Sequence, residues 1–437
     1  MAAFFLNYQI MNNIEKIYDL YKRTYTVTTD SRCITKDCVF VALKGEHFDG
    51  NDFALKVAEE GIAACVISDR QNLPENDRLF IVEDSLKVLQ ELAKMHREHL
   101  NIPVIGITGT NGKTTTKELI AAVLSKKYNI VYTQGNFNNH LGVPLTLLRI
   151  KPETEIAVVE MGANHPGEIR QLTEIGNPTY GIITNIGRAH LEGFGGFEGV
   201  IKTKNEMYQH IHEHDGMLFV NRDNPLLMNL AADMRKITYG SNNDSDIIGA
   251  MVSANPFLKV AHCWYEFDTQ LVGDYNFENV MAAIAVGWKF GVRNNDIHDA
   301  ISNYTPTNSR SQVIETQKNR VILDAYNANP TSMGHAVRNF RNICKEDNLL
   351  ILGDMRELGN ESQKEHEIIF NLLNELNFKN VFLVGNEFKK VCTNSNLQTF
   401  ENVDELIHYI ENHPVEGKDI LVKGSNSMKL GKIVEVI

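Results

Sequence analysis

The sequence lacks the features that would set it in an oxidising or membranous environment. Its six cysteines, at 33, 38, 65, 263, 344 and 392, include no C-x-x-C pair. That scatter argues against a disulfide framework or a zinc site and makes a reducing compartment the default. No stretch approaches the roughly 18 to 20 apolar residues that a membrane span needs. The segment MAAFFLNYQIMNN has a short apolar run but no basic region before it. No signal peptide is read there, and a cytoplasmic protein is expected. Positive charge is in deficit: 43 Lys and Arg stand against 55 Asp and Glu, a formal net charge of −12. This balance argues against general nucleic-acid or anionic-membrane binding but leaves room for a local basic pocket. Internal repeats and low-complexity segments are missing too.

What is present is a long alternation of short apolar β-rich runs with helical patterns. The runs include VIGI (104–107), IAVVE (156–160), YGIIT (180–184), VILD (321–324), LLILGD (349–354), VFLVG (381–385) and DILVKG (419–424). Continuous apolar runs suit strands buried on both faces of a parallel sheet. Several end in Glu160, Thr184, Asp324, Asp354 or Lys423. Ligands of open α/β sheets gather at the carboxyl ends of strands, so candidate chemistry falls at sheet edges in two separate sets. A helical pattern ends near REHLNIP (97–103), and a polar, proline-bearing stretch, NYTPTNSRSQ, covers 303–312. These breaks divide the 437 residues into three expected domains, 1–100, 101–307 and 308–437.

The stretch GITGTNGKTTT (106–116) carries the sharpest signal. It follows a strand pattern and enters a helix whose Leu119, Ile120, Val123 and Leu124 recur at helical spacing. A glycine-rich turn at a helix start aims backbone N–H groups at one point, where the helix dipole favours an anion. Gly109, Thr110, Asn111, Gly112, Lys113, Thr114 and Thr115 form the candidate nucleotide cradle. Lys113 supplies a point charge for the outer phosphates, and Thr114 a hydroxyl for magnesium. The usual loop has a glycine where Ile107 stands; the compact G-x-x-G-K-T form keeps every group the chemistry needs.

These residues resemble the Mur ligases and their relatives, the folylpolyglutamate synthetases. The likeness extends through TTDSR (28–32), VFVALKGEHFDGNDF (39–53), TQGNFNNHLGVPLTLL (133–148), EMGANHPGEI (160–169), TNIGRAHLEGFG (184–195), DAYNANPTSM (324–333), LGDMRELG (352–359) and LVKGS (421–425). Together they span nearly the whole chain. The resemblance implies an α/β fold of three domains: a small N-terminal UDP-binding domain, a central P-loop domain with a parallel sheet, and a C-terminal Rossmann-like domain. It also implies an ATP-dependent amide ligase that joins D-alanyl-D-alanine to UDP-N-acetylmuramoyl-tripeptide through an acyl phosphate, in peptidoglycan precursor synthesis. ATP, two magnesium ions and a monomeric chain with no macromolecular partner complete the expectation.

The resemblance also assigns roles. Glu160 becomes a second-sphere or direct magnesium ligand beside Thr114, where a solvated strand-end carboxylate is the bland alternative. His190 and a carbamylated Lys204 hold a second magnesium; Lys202 is the neighbour with which Lys204 could be confused. Together with Lys113, His190 and Lys204 make up the expected catalytic set. Asn276 or Asn279 meets adenine, although an asparagine here could simply start a helix. Arg310 reaches a nucleotide phosphate and Asp324 the ribose hydroxyls, with Tyr326 and Asn329 of YNANP beside them. Asn136, Asn138 and Asn139 contact the muramoyl substrate. Ser31, Arg32, Lys44, His47 and Asp49 form the uridine-diphosphate pocket. After Lys-Gly-Ser the family usually carries Arg, and this chain has Asn426.

Overall fold

A computed structural model of the chain describes residues 13–307, 309–392 and 397–437. The first 12 residues, where no signal peptide is read, and residue 308 of the expected linker lie outside the described residues.

Among the described residues the strands gather into three sheets. The first is four short parallel strands, in the order 27–28, 39–41, 65–68, 79–81. The second has nine strands, in the order 265–272, 257–262, 247–254, 236–240, 217–221, 180–183, 104–108, 156–160, 130–132. The third has six, in the order 312–315, 320–324, 419–423, 348–353, 381–384, 398–400. The second sheet is parallel from 247–254 through 130–132. Its edge is an antiparallel hairpin, 257–262 with 265–272, that the apolar runs did not announce. Its strands bury alternate residues, as a sheet with one wet face does. The third sheet is parallel apart from its first strand, 312–315.

The central strands Val104–Thr108 and Ile156–Glu160 are buried along their whole length. Successive side chains point to opposite faces. Ile105, Ile107, Ile156 and Val158 meet Leu119, Ile120, Val123 and Leu124 of helix Lys113–Leu124. Val104, Ala157 and Val159 face the other way, toward Leu147, Ile169 and Leu172. The first and second sheets share this second core, since Val39, Val41 and Ile67 belong to it as well. The seam is also hydrogen-bonded. Tyr21 Oη donates to the Leu148 carbonyl at 2.9 Å, and the buried Arg97 guanidinium to the carbonyls of Gly176 and Asn177. No described helix is long and apolar enough to cross a membrane.

Candidate active site

The phosphate loop can be built only with glycine at two points. Gly109 has φ 142°, and a β-carbon there would stand 2.0 Å from Thr184 Oγ1. Gly112 has φ 78°, and its β-carbon would stand 2.5 Å from Asn279 Oδ1. The loop is held from outside: Thr184 Oγ1 donates to the Asn111 carbonyl at 2.6 Å, and Asn111 N–H to Asn185 Oδ1 at 2.9 Å. Lys113 Nζ lies within the turn and donates to the carbonyls of Gly109 and Thr110. Burial draws its ammonium below the ordinary lysine value; Glu160 opposes this and Arg310 adds to it.

Glu160, almost fully buried at the end of its strand, is the hub beside the loop. Thr114 Oγ1 donates to its carboxylate at 3.0 Å, and Asn138 Nδ2 at 2.8 Å. The Glu160 N–H donates to Thr133 Oγ1. Lys117, one helical turn past Lys113 and fully buried, brings Nζ to 3.9 Å from Glu160 and 3.0 Å from Glu118. Asn138 thus ties the 136–139 loop to the phosphate loop. Asn139 instead accepts from the Leu141 and Gly142 N–H groups just ahead of the next helix, and Asn136 lines the cavity wall.

Lys204 sits on helix Phe197–Glu213 and is buried, whereas Lys202 is exposed. Its Nζ lies 5.6 Å from the Phe194 ring centre and has no hydrogen-bond acceptor among the described residues. Burial, and secondly the charge of Lys113, hold its pKa well below the lysine value, against the pull of Glu168 and Glu206. His190 adopts φ 52° at the start of a short helix and turns Nδ1 onto the Glu357 carboxylate. The nearby imidazole is the main reason the Glu357 carboxyl titrates below its usual range.

The third sheet supplies the opposite wall. Asp324 accepts from Lys423 Nζ at 2.6 Å and from the Ser311 N–H at 3.2 Å. Arg310 lies between Ser309 and Ser311, both at positive φ, and stacks its guanidinium 3.8 Å over the Tyr326 ring. Its Nε is buried and without a partner among the described residues. Asn329 caps helix Pro330–Ile343 through Oδ1 and donates from Nδ2 to Asn111 Oδ1 at 2.8 Å, joining the two walls. One cavity of about 920 Å³ is bounded by the phosphate loop, Glu160, His190, Arg310, Asp324, Tyr326 and Asn329. Asn276 and Asn279 line it too, but their amides are already bonded: Thr116 Oγ1 to Asn279 Oδ1, Asn279 Nδ2 to Asn276 Oδ1, and Asn276 Nδ2 to the Val272 carbonyl.

Family comparisons agree in sequence and in shape. The model for the Mur ligase family catalytic domain matches residues 23–107, that for the Mur ligase middle domain 107–287, and that for the glutamate ligase domain 309–426. A Bacillus subtilis protein named UDP-N-acetylmuramoyl-tripeptide--D-alanyl-D-alanine ligase is 38% identical, over 95% of this chain and 94% of its own length. The chain belongs to the Mur ligase family. The Escherichia coli protein of the same name is 34% identical over 94% of this chain and 93% of its own. MurF from Acinetobacter baumannii superposes with a TM-score of 0.83 at 30% identity, covering 94% of this chain and 92% of that one. MurF ligase from Thermotoga maritima, solved in complex with ADP, gives 0.81 at 26% identity, covering 94% and 96%.

The Mur ligase residues expected to hold a uridine diphosphate stand apart from this cavity, in the first sheet's loops. Arg32 pairs with Asp30 at 2.7 Å beside Ser31. Lys44 and His47 are exposed, and Asp49 pairs with Arg70 and caps the turn at Gly50. Asp354, at a strand end, serves as a buried cap: its carboxylate accepts from the N–H groups of Glu387 and Phe388. Asn426 is exposed in a turn where Arg356 reaches Met428 Sδ at 3.7 Å. Sequence reasoning missed Lys117 and Glu357. Lys117 carried a signal, because it lies one turn along the same helix face as Lys113; Glu357 meets its partner across 167 residues and carried none.

Proposed function

We propose that this chain is an ATP-dependent amide ligase that joins D-alanyl-D-alanine to UDP-N-acetylmuramoyl-tripeptide for peptidoglycan synthesis. One observation carries the reading: in a chain that matches ligases of that name along 95% of its length, a single cavity joins a phosphate loop to Arg310 and Asp324 on a separate sheet. ATP would lie between the two walls. The acceptor's carboxylate takes the γ-phosphoryl group to give an acyl phosphate and ADP. The dipeptide amine then attacks the acyl carbon, and the tetrahedral adduct expels phosphate to leave the amide. Lys113 and Arg310 offset charge on the phosphoryl oxygens, and Asp324 suits the ribose hydroxyls. Asn136, Asn138 and Asn139 would meet the muramoyl end, and Ser31, Arg32, Lys44, His47 and Asp49 the uridine diphosphate.

The donor set fits magnesium in part. Thr114 and Glu160 offer hard oxygens at the cavity wall, which suits an ion that keeps several waters and takes its other ligands from phosphates. Among the described residues no three His, Cys, Asp or Glu side chains gather into a cage, in keeping with such sparse protein ligation. A second ion would need His190 and Lys204, and a free amine is a poor magnesium ligand. A buried amine whose charged form is disfavoured is, however, the neutral nucleophile that adds to carbon dioxide. The resulting carbamate would supply oxygens. Magnesium, when bound, supplies neutralisation of phosphoryl charge. We extend the proposal to a cytoplasmic monomer, which sedimentation equilibrium would check.

Phosphate release with each substrate omitted in turn is the test. Release should require both the UDP-muramoyl-tripeptide and the dipeptide. Vigorous hydrolysis of ATP with neither present would instead indicate a regulatory ATPase.

A further inference from the structure

We infer that Arg188 and Glu365 are positioning residues whose ion pair fixes the third sheet's wall in register with the phosphate loop. The segment that carries Arg188 is fastened on two sides. Toward the phosphate loop, the Gly187 N–H donates to Thr110 Oγ1 at 2.9 Å, and the Thr110 N–H to the Asn185 carbonyl at 2.9 Å. Toward the third sheet's helices, the Arg188 N–H donates to Thr331 Oγ1 at 3.3 Å, and Arg188 Nε to Glu365 Oε1 at 2.8 Å. Two residues on, His190 meets Glu357. The six-residue segment 185–190 therefore touches both walls of the cavity.

Burial makes the pair selective. The Glu365 side chain is 4% exposed, and Arg188 is its one hydrogen-bonding partner among the described residues. A carboxylate buried without a partner is heavily penalised, so the wall can dock only in the register that delivers Arg188 to it. When the walls part, water solvates Glu365 and the penalty disappears. Opening therefore stays reversible, while misregistered closure is disfavoured. Arg188 itself is 45% exposed, beside a seam hollow of about 330 Å³. The pair is thus half-wet, and its effect belongs in the tenfold range rather than the thousandfold range. Glu361, at 3.6 Å from Arg188 Nη2, adds a weaker second carboxylate.

The kinetic readout of this inference rests on the ligase reading, but the docking readout does not. In the full chain, Glu365→Gln and Arg188→Met should each lower kcat/KM for the dipeptide about tenfold. Unfolding midpoints should stay near that of the parent. The reversed pair, Arg188→Glu with Glu365→Arg, should recover to within about threefold, as should Arg188→Lys alone. Small-angle scattering with ADP and magnesium should show a larger radius of gyration for the two single neutral variants and a compact reversed pair. The inference is overturned if the single variants scatter and turn over like the parent, or if the reversed pair shows the summed loss of its two substitutions. A parent chain that does not ligate would sink the ligase reading and leave the scattering comparison to judge the latch.

Discussion

Gly112 offers the most exacting test of how the phosphate loop is built. Replacing it with alanine has two separable costs. The residue sits at φ 78°, a left-handed conformation that costs a β-carbon residue about 1–2 kcal/mol. The new methyl would also stand 2.5 Å from Asn279 Oδ1, which accepts the Thr116 hydroxyl at 3.0 Å. Displacing that buried acceptor leaves a donor short of its partner, worth about 1–3 kcal/mol. The sum, about 3.5 kcal/mol in mid-range, corresponds to a fall of about 7–14 °C in the unfolding midpoint of a unit of this size. The same displacement tilts the first helical N–H groups away from the phosphate position, so ATP affinity should fall along with stability. Calorimetry of the variant with and without ATP measures both effects. A Gly112→Ala midpoint within about 1 °C of the parent, with unchanged ATP protection, would refute the argument.

Four further outcomes are expected. Glu160→Gln keeps the shape of the hub but removes its charge. It should lower kcat by roughly 10²–10³ and raise the magnesium concentration for half-maximal rate; a magnesium titration of activity decides this. Lys204→Ala should be nearly inactive and regain activity with short-chain carboxylic acids that stand in for the carbamate; full activity without them would refute the role. Asn329→Ala removes a helix cap worth about 1 kcal/mol and the bridge to Asn111, so the KM for ATP should rise by more than in a cap-only control such as Asn402→Ala. Burial chiefly, and then the neighbouring His298, hold His262 down to about 4, from an ordinary 6.5. Its neutral ring favours the folded state above pH 6.5, and that contribution is lost as the pH falls toward 4. The unfolding midpoint should drop across this window, and less steeply in His262→Gln; equal slopes would contradict the assignment.

The parallel layers were legible because they obey local rules. VIGI and IAVVE read as buried strands, and they are; the helix after Lys113 follows from its apolar spacing. The antiparallel edge 247–272 was not read. Burial alternates along its 257–262 strand but hydrophobicity does not, because Phe257 and Ala261 stand on the wetter face and His262 on the buried one. At the site, many residues named from the sequence line the cavity, though not Lys204 or those of the first sheet, and none of their couplings was read. Asn276 and Asn279, read for adenine or for a helix start, stand three apart on one helix face and bond each other. Asn329 with Asn111 and Arg188 with Glu365 join residues 218 and 177 positions apart, and nothing local announces such a meeting. Lys204, chosen over Lys202 from the resemblance, is buried where Lys202 is exposed, a difference their shared helix did not announce.

The common core of the first two sheets bears on how this enzyme can change. Tyr21, Arg97 and the apolar side chains around them weld the first unit to the central one, while the third unit meets the central one through polar contacts such as Asn329 with Asn111 and Arg188 with Glu365, and through Val272. On the proposed function, the long acceptor would be measured by a fixed ruler, its nucleotide end and its reacting end held at one set distance. On the same reading the amine would arrive on a detachable jaw. Exchange of the third unit between relatives should therefore alter which amine is accepted without recalibrating the grip on the acceptor.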